Sequence, residues 1–230
     1  MPTLVVFGAR HLGRVVAREF ASDGWRVVAV ARTEETIRRL NDEVPAAFGM
    51  VADAEKSDDV ERVLRDAGDV DLIVNAITTT PAFGGPVHEA PADALDPYIG
   101  KLVPAIFNVL RVGGRVLVER GRGTLVQVTG GSARRGNPGR GPWAAAAFAT
   151  RALLQSQAGE LRPLNVHAAL LIVDALIESE KTEHLLEGEP PERSASMEDV
   201  AAAVKYLYNQ SPRGWTHELQ LTPALERWIP

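Results

Sequence analysis

At 230 residues, 45% apolar and 24% charged, the chain is long enough to bury one sizeable α/β core and has an ordinary composition for a globular protein. Its net charge of −5 gives no general attraction to nucleic acid or anionic membranes. With no cysteine it can form no disulfide, thiolate nucleophile or Cys-ligated metal site.

The first strand-like run is Thr3–Phe7, reached with no charged leader and cleavage site, so a cytoplasmic protein is expected. A helix follows over Leu12–Ser22, where Val15, Val16, Glu19 and Phe20 recur at helical spacing, and Gly24 stops it. Arg26–Ala31 is the next strand. Thr33 caps a helix through Leu40, Ala47–Ala52 is a strand, and Ser57 caps a helix through Arg65. Asp71–Ala76 is a buried-strand run. A long helix is expected over Ala94–Arg111, with Pro97 and Pro104 as points of distortion. Then come a strand at Thr124–Thr129, a helix at Trp143–Leu161, a strand at Val166–Val173, a helix at Asp199–Asn209 and a short strand at Glu218–Leu221. The polar stretch Glu187–Glu192 reads as loop. No apolar run approaches the ~20 residues that a membrane-spanning helix needs.

Apolar strands alternating with helices imply a parallel sheet covered on both faces. With right-handed crossovers this becomes a Rossmann-type, doubly wound α/β fold: a seven-stranded parallel sheet in a three-layer sandwich. Residues 1–230 read as a single dinucleotide-binding domain, with 174–195 as a substrate lid.

Gly8-Ala9-Arg10-His11-Leu12-Gly13 lies between the first strand and its helix, where a pyrophosphate meets a helix N-terminus. Gly8 permits the tight turn and Gly13 allows close packing of helix on strand, while Arg10 stands where GxGxxG has its middle glycine. The alternative is a turn that holds no nucleotide. The second strand ends in Ala31-Arg32 rather than in an acidic residue that would bond the ribose hydroxyls of NAD. Arg32, with Arg10, suits a 2′-phosphate and favours NADP(H) over NAD; the alternative is two solvated arginines.

Further residues carry a family resemblance. Ala52-Asp53-Ala54 follows the third strand, and Val74-Asn75-Ala76-Ile77 ends the fourth. Phe107-Asn108-Val109 lies in the long helix. Gly123–Gly130 forms the fifth strand, and Arg135-Gly136-Asn137-Pro138-Gly139 precedes the next helix. Val166–Ile177 spans the sixth strand and the turn after it, and Pro212–Leu219 with Pro223 and Trp228 makes the tail. In these stretches the chain resembles the short-chain dehydrogenase/reductase family over nearly its whole length, in a divergent form. The resemblance implies that Asp53 contacts the adenine, that Gly8, Arg10, His11, Leu12, Gly13, Arg32, Asn75 and Ala76 border the cofactor, and that the helices near 94–111 and 143–161 join subunits into a homodimer or homotetramer.

It also implies chemistry that this chain lacks. Family members interconvert carbonyls and alcohols. A Tyr passes the proton, a Lys lowers its pKa, a Ser bonds the substrate oxygen and an Asn supports the relay. These positions fall on Trp143, Ala147, Gly130 and Leu102. Indole has no titratable proton in range, and a methyl group carries no charge. The candidate substitutes are Ser132 and Thr129 as ligands of a substrate oxygen, and Tyr98 with Lys101, about one helical turn apart, as a rebuilt proton donor. Trp143, Gly130 and Leu102 are expected to line the substrate pocket.

Three functions stay open at this point: an NADP(H)-linked oxidoreductase acting on a small carbonyl or alcohol metabolite, a non-redox enzyme (cyclase, isomerase or dehydratase) on the same scaffold, and a non-catalytic binding protein. The histidines have no metal-ligand spacing, so no metal site is expected. The local arginine concentration at 111–140 reads as a solvated face, and no nucleic-acid or membrane partner is expected.

Overall fold

The computed structural model describes residues 1–79, 84–180 and 182–226. Trp228 of the expected tail and Lys181 of the expected lid lie outside the described residues.

Seven strands form one parallel sheet: β1 Thr3–Phe7, β2 Arg26–Ala31, β3 Ala47–Val51, β4 Leu72–Asn75, β5 Gly123–Gly130, β6 Val166–Val173 and β7 Glu218–Leu221. Their order is β3-β2-β1-β4-β5-β6-β7. This is the doubly wound arrangement expected from the alternation of strands and helices. The helices are α1 Leu12–Ser22, α2 Glu34–Glu43, α3 Ser57–Ala67, α4 Val103–Arg120, α5 Gly141–Leu161, α6 Glu183–Leu186 and α7 Met197–Tyr208.

The two-residue period of the strands divides the core. Leu4 and Val6 face a cluster with Phe20 of α1, Leu40 of α2 and Val200 and Val204 of α7. Val5 and Phe7 face the other side, with Val63 of α3, Ile106 of α4 and Leu154 of α5. Both faces are covered, so β1 and β6 are buried at every residue. That explains why, apart from Thr3 and His167, they read as continuous apolar runs rather than as alternating ones.

Local chemistry sets several boundaries. Thr33 caps α2 through its hydroxyl, which accepts from the Thr36 N–H at 3.3 Å. Gly24, at φ +79°, ends the turn after α1, its N–H donating to the Ala21 carbonyl. Ser57 does not cap α3: it is already in the helix, and its hydroxyl accepts from Arg111 at 2.5 Å. The long central helix is displaced from its expected span. A π-helical stretch, Asp96–Leu102, leads into α4, which runs on to Arg120 and stops at Gly121 in the left-handed conformation. Pro97 and Pro104 lie at the starts of these two segments, where a missing N–H costs least, so they divide the helix rather than end it.

His167 is buried in β6. Its Nε2 lies 2.9 Å from the Thr216 carbonyl, and its ring stacks on Trp215 at a centroid distance of 5.0 Å. Burial, then the charge of nearby His217, hold its pKa below the ordinary 6.5, although the bond to Thr216 opposes the shift. The unfolded chain therefore takes up a proton that the folded protein resists. The stability tied to this residue is fully present above about pH 6.5 and is lost as the pH falls through the lowered folded value. Melting temperatures at pH 8 and pH 5 are expected to differ less in His167→Gln than in the parent protein. An unchanged difference would exclude this residue as the cause.

Candidate functional site

The carboxyl ends of the parallel strands share one edge, and the direction of winding reverses between β1 and β4. A crevice at such a switch point is where open α/β sheets bind ligands. The glycine loop lies there. Gly8 has φ +91°, and a Cβ on it would stand 2.6 Å from the Ala76 carbonyl oxygen. A Cβ on Gly13 would stand 2.5 Å from the Gly8 carbonyl oxygen. Only glycine at both positions lets the loop, α1 and the end of β4 approach this closely. The Gly8 and Ala9 N–H groups both donate to the Val30 carbonyl at 3.0 Å, which stitches the loop to β2. Arg10 and Arg32 therefore occupy neighbouring loops, both exposed.

Arg32 pairs loosely with Glu55 at 3.7 Å, and at this exposure such a pair contributes little. His11 flanks the start of α1 and is half-buried, and Leu12 packs its side chain against the core. Asp53 is half-buried. Its carboxylate accepts from the Glu55 N–H at 3.1 Å, and its own N–H donates to Asp59 at 2.8 Å. That N–H is the first cause holding the Asp59 carboxyl below its usual range, with Arg62 helping and burial opposing. The Asn108 amide donates to the Ala54 and Glu55 carbonyls at 2.9 and 3.1 Å, tying α4 to the same loop.

Asn75 departs from expectation. It is wholly buried, and its amide donates to Gln127 Oε1 at 2.8 Å and accepts from the Ile77 N–H at 3.2 Å. Gln127 in turn donates to the Val128 carbonyl at 2.7 Å. A buried amide needs such partners, so this side chain locks β4 to β5 rather than facing the crevice. Ala76 borders the glycine loop through its backbone.

At the other end of the crevice, Thr129 and Gly130 close β5, and Ser132 sits on the 3₁₀ turn Gly131–Ala133; all three residues are half-buried. Trp143 is half-buried in the first turns of α5. Tyr98 is wholly buried, edge-on to Trp143 with ring centroids 5.9 Å apart, whereas Lys101 is exposed and Leu102 half-buried. The π-helical winding splits the expected Tyr98/Lys101 pair between core and solvent. Ala147 is also buried. The region around Tyr98, Trp143 and Ala147 is thus filled by aromatic and apolar side chains.

A polar cluster next to it went unrecognised in the sequence. Asp174, the residue after β6, is 4% exposed. Its two carboxylate oxygens accept from Arg135 Nη1 and Nη2, both at 2.8 Å, and Gln220 donates to Oδ2 at 3.2 Å. The hydrogen bond to Asp174 is the first cause raising the Arg135 pKa above its already high value; burial works against it, and the charges of Asp174 and Glu226 support it. Nearby, Arg151 of α5 makes a two-pronged pair with Glu218 at 2.7 and 2.8 Å and donates to the Ala133 carbonyl at 3.2 Å. Arg151 is the first cause holding the Glu218 carboxyl below its usual range; burial opposes, and Gln155 assists. One signal was available for Asp174: an acidic residue directly after a fully buried eight-residue strand needs a partner. Its partner is 39 residues away in sequence and could not be read from spacing.

Among the described residues, no group of three or more His, Cys, Asp or Glu stands ready to hold a metal, and no helix is long and apolar enough to cross a membrane.

The family model described as short chain dehydrogenase matches residues 2–187. The chain belongs to the short-chain dehydrogenase/reductase family. Among its relatives, L-xylulose reductase of Bos taurus is 28% identical over 214 residues, covering 89% of this chain and 87% of the relative. A short-chain dehydrogenase from Rhodopseudomonas palustris superposes with a TM-score of 0.80 at 26% identity, over 96% of this chain and 98% of that one. A metagenomic short-chain oxidoreductase solved in complex with NADP gives 0.79 at 25% identity, over 98% of both chains. In this short-chain dehydrogenase/reductase the first turns of α5 carry Trp143 and Ala147, and Gly130 ends β5.

Proposed function

We propose that this protein is an NADP(H)-linked oxidoreductase acting on a small carbonyl or alcohol metabolite, through a site that works without the family's usual Tyr and Lys. The observation that carries the reading is the junction of the glycine loop with the end of β2, which brings Arg10 and Arg32 onto adjacent loops above the N-terminus of α1. The residues fit the cofactor. The first-turn N–H groups of a helix have no intrahelical partner and suit a pyrophosphate, and two guanidinium groups suit a 2′-phosphate. Asp53 borders the expected adenine position. The NADP complex of the metagenomic relative supports the same choice.

When bound, the nicotinamide supplies the hydride. Ser132 and Thr129 then hold the substrate oxygen, while Trp143, Gly130 and Leu102 shape the pocket; Tyr98 and Lys101 have no role in this reading. Residues 1–230 act as one domain, with 174–195 as the lid. The bridge between Ile177 and Ala195 supports that lid, because it closes the intervening excursion onto itself. Exposed Phe107 on α4 and Phe148 on α5 support pairing of two copies into a homodimer, or of four into a tetramer.

Fluorescence titration with NADPH and NADH tests the cofactor assignment. Arg32→Ala is expected to weaken NADPH binding about tenfold to a hundredfold, the effect of losing one or two charge-assisted hydrogen bonds, and to leave NADH binding nearly unchanged. Equal losses for both would remove the preference for NADP(H), and no NADPH binding at millimolar concentrations would end the redox reading. The aromatic filling around Tyr98, Trp143 and Ala147 favours one second reading, a non-redox enzyme whose cleft supplies shape alone. NADPH binding without turnover across a broad panel of carbonyl compounds would select it.

A further inference from the structure

We infer that Arg135 and Asp174 are positioning residues of this site, and that their ion pair holds the turn carrying Ser132 in register with the ends of β5 and β6. The inference rests on the proposed reading of Ser132 as a ligand of the substrate oxygen.

The turn is short and closes on itself: the Arg134 and Arg135 N–H groups both donate to the Gly131 carbonyl, at 2.9 and 3.3 Å. It follows β5, whose last residue, Gly130, lies opposite Val173 of β6. Asp174 directly follows β6, and its backbone N–H donates to the Leu221 carbonyl of β7 at 2.8 Å, so its main chain is fixed by the sheet. Its side chain lies against the turn: a Cβ on Gly131 would stand 1.8 Å from Asp174 Oδ1. Gly131 is the residue that makes room for the carboxylate. From there the carboxylate takes both terminal nitrogens of Arg135, which leaves the far end of the same turn.

The turn is thus gripped at two points by one side chain, by contact at Gly131 and by a two-pronged ion pair at Arg135, with Ser132 between them. A third hold comes from Arg151 on the Ala133 carbonyl. A guanidinium–carboxylate fork fixes both distance and plane. A hydroxyl that must meet a substrate oxygen needs this, since small misplacement of a catalytic group lowers rate steeply. Within the family's usual plan, the Ser that bonds substrate would stand at Gly130, which pairs with Val173, the residue just before Asp174. The pair replaces the missing hydroxyl position with a clamp that presents the next available one.

The test is a double-mutant cycle on NADPH oxidation, with butane-2,3-dione as the probe substrate and NADPH affinity measured in parallel. Ser132→Ala is expected to lower kcat at least tenfold. Arg135→Lys keeps the charge but loses the fork, and is expected to lower kcat by a similar factor while NADPH affinity stays within twofold. Because Arg135 acts through Ser132, the double variant is expected to be no slower than Ser132→Ala alone. A purely structural role would instead give losses that multiply. If Arg135→Lys does not fold, Asp174→Asn, which keeps an acceptor for the guanidinium, enters the same cycle with the same expectation. Multiplicative losses, an unaffected kcat in the charge-conserving variant, or wild-type NADPH binding without turnover would each overturn the inference. Failure of the wild-type protein to bind NADPH would overturn the cofactor reading instead.

Discussion

Replacing Arg135 by alanine is expected to lower the unfolding free energy by about 3 kcal/mol, and the melting temperature of a chain of this size by roughly 6–12 °C. The loss comes from what is left behind. The Asp174 side chain is 5% exposed and, among the described residues, would keep the Gln220 amide at 3.2 Å as its one side-chain donor. A buried carboxylate that loses its guanidinium partner is left poorly solvated, which costs free energy. Arg135 itself is 21% exposed, which puts the effect at the lower end of the range for broken buried pairs. The sign reverses for joint replacement. Arg135→Leu with Asp174→Leu removes both charges and is expected to recover most of the lost stability, because the desolvation penalty goes with them. Calorimetry on the single and double variants decides the matter; a single-variant loss below about 1 kcal/mol would mean that solvent reaches Asp174 freely.

The second large effect is at the opposite end of the crevice. Gly8→Ala is expected to cost about 3 kcal/mol or more, and to weaken NADPH binding at least tenfold. Two penalties add. The backbone sits at φ +91°, where a side chain is strained, and the new methyl would lie 2.6 Å from the Ala76 carbonyl oxygen and 2.9 Å from the Ile77 nitrogen. Both are backbone atoms of the chain leaving β4, so neither can swing aside, and the loop must move off β4 with the start of α1. Gly24→Ala separates the two penalties. Its φ is +79°, yet nothing lies within 4 Å of its added methyl, so only the conformational strain remains, about 1 kcal/mol. Urea denaturation of both variants measures the difference, and equal losses would show that the close approach to Ala76 carries no weight.

Part of this site was legible before any coordinates. The glycine loop, the arginine after β2, and Trp143 and Ala147 near the start of α5 are local facts of residue identity. The strand–helix alternation placed the first two at strand ends, because a fully buried strand must be apolar along its length and the boundary shows where polarity returns. Asn75 shows the limit of such reading: a polar residue at a strand end looks available, and its hydrogen bond to Gln127, in a strand 52 residues on, is visible only in the fold.

The sequence by itself determined the doubly wound fold and the place of the glycine loop at the end of its first strand, since each follows from short-range periodicity or from the identity of single residues. The tertiary structure alone decided which polar groups meet. It sent Tyr98 into the core and Lys101 to solvent through a π-helical winding that spacing does not reveal, and it joined Arg135 to Asp174 and Arg151 to Glu218 across 39 and 67 residues. The physical reason is that a period describes one element's own face, whereas an ion pair depends on how separate elements dock. Docking is set by packing over the whole sheet, and no local stretch of residues encodes it.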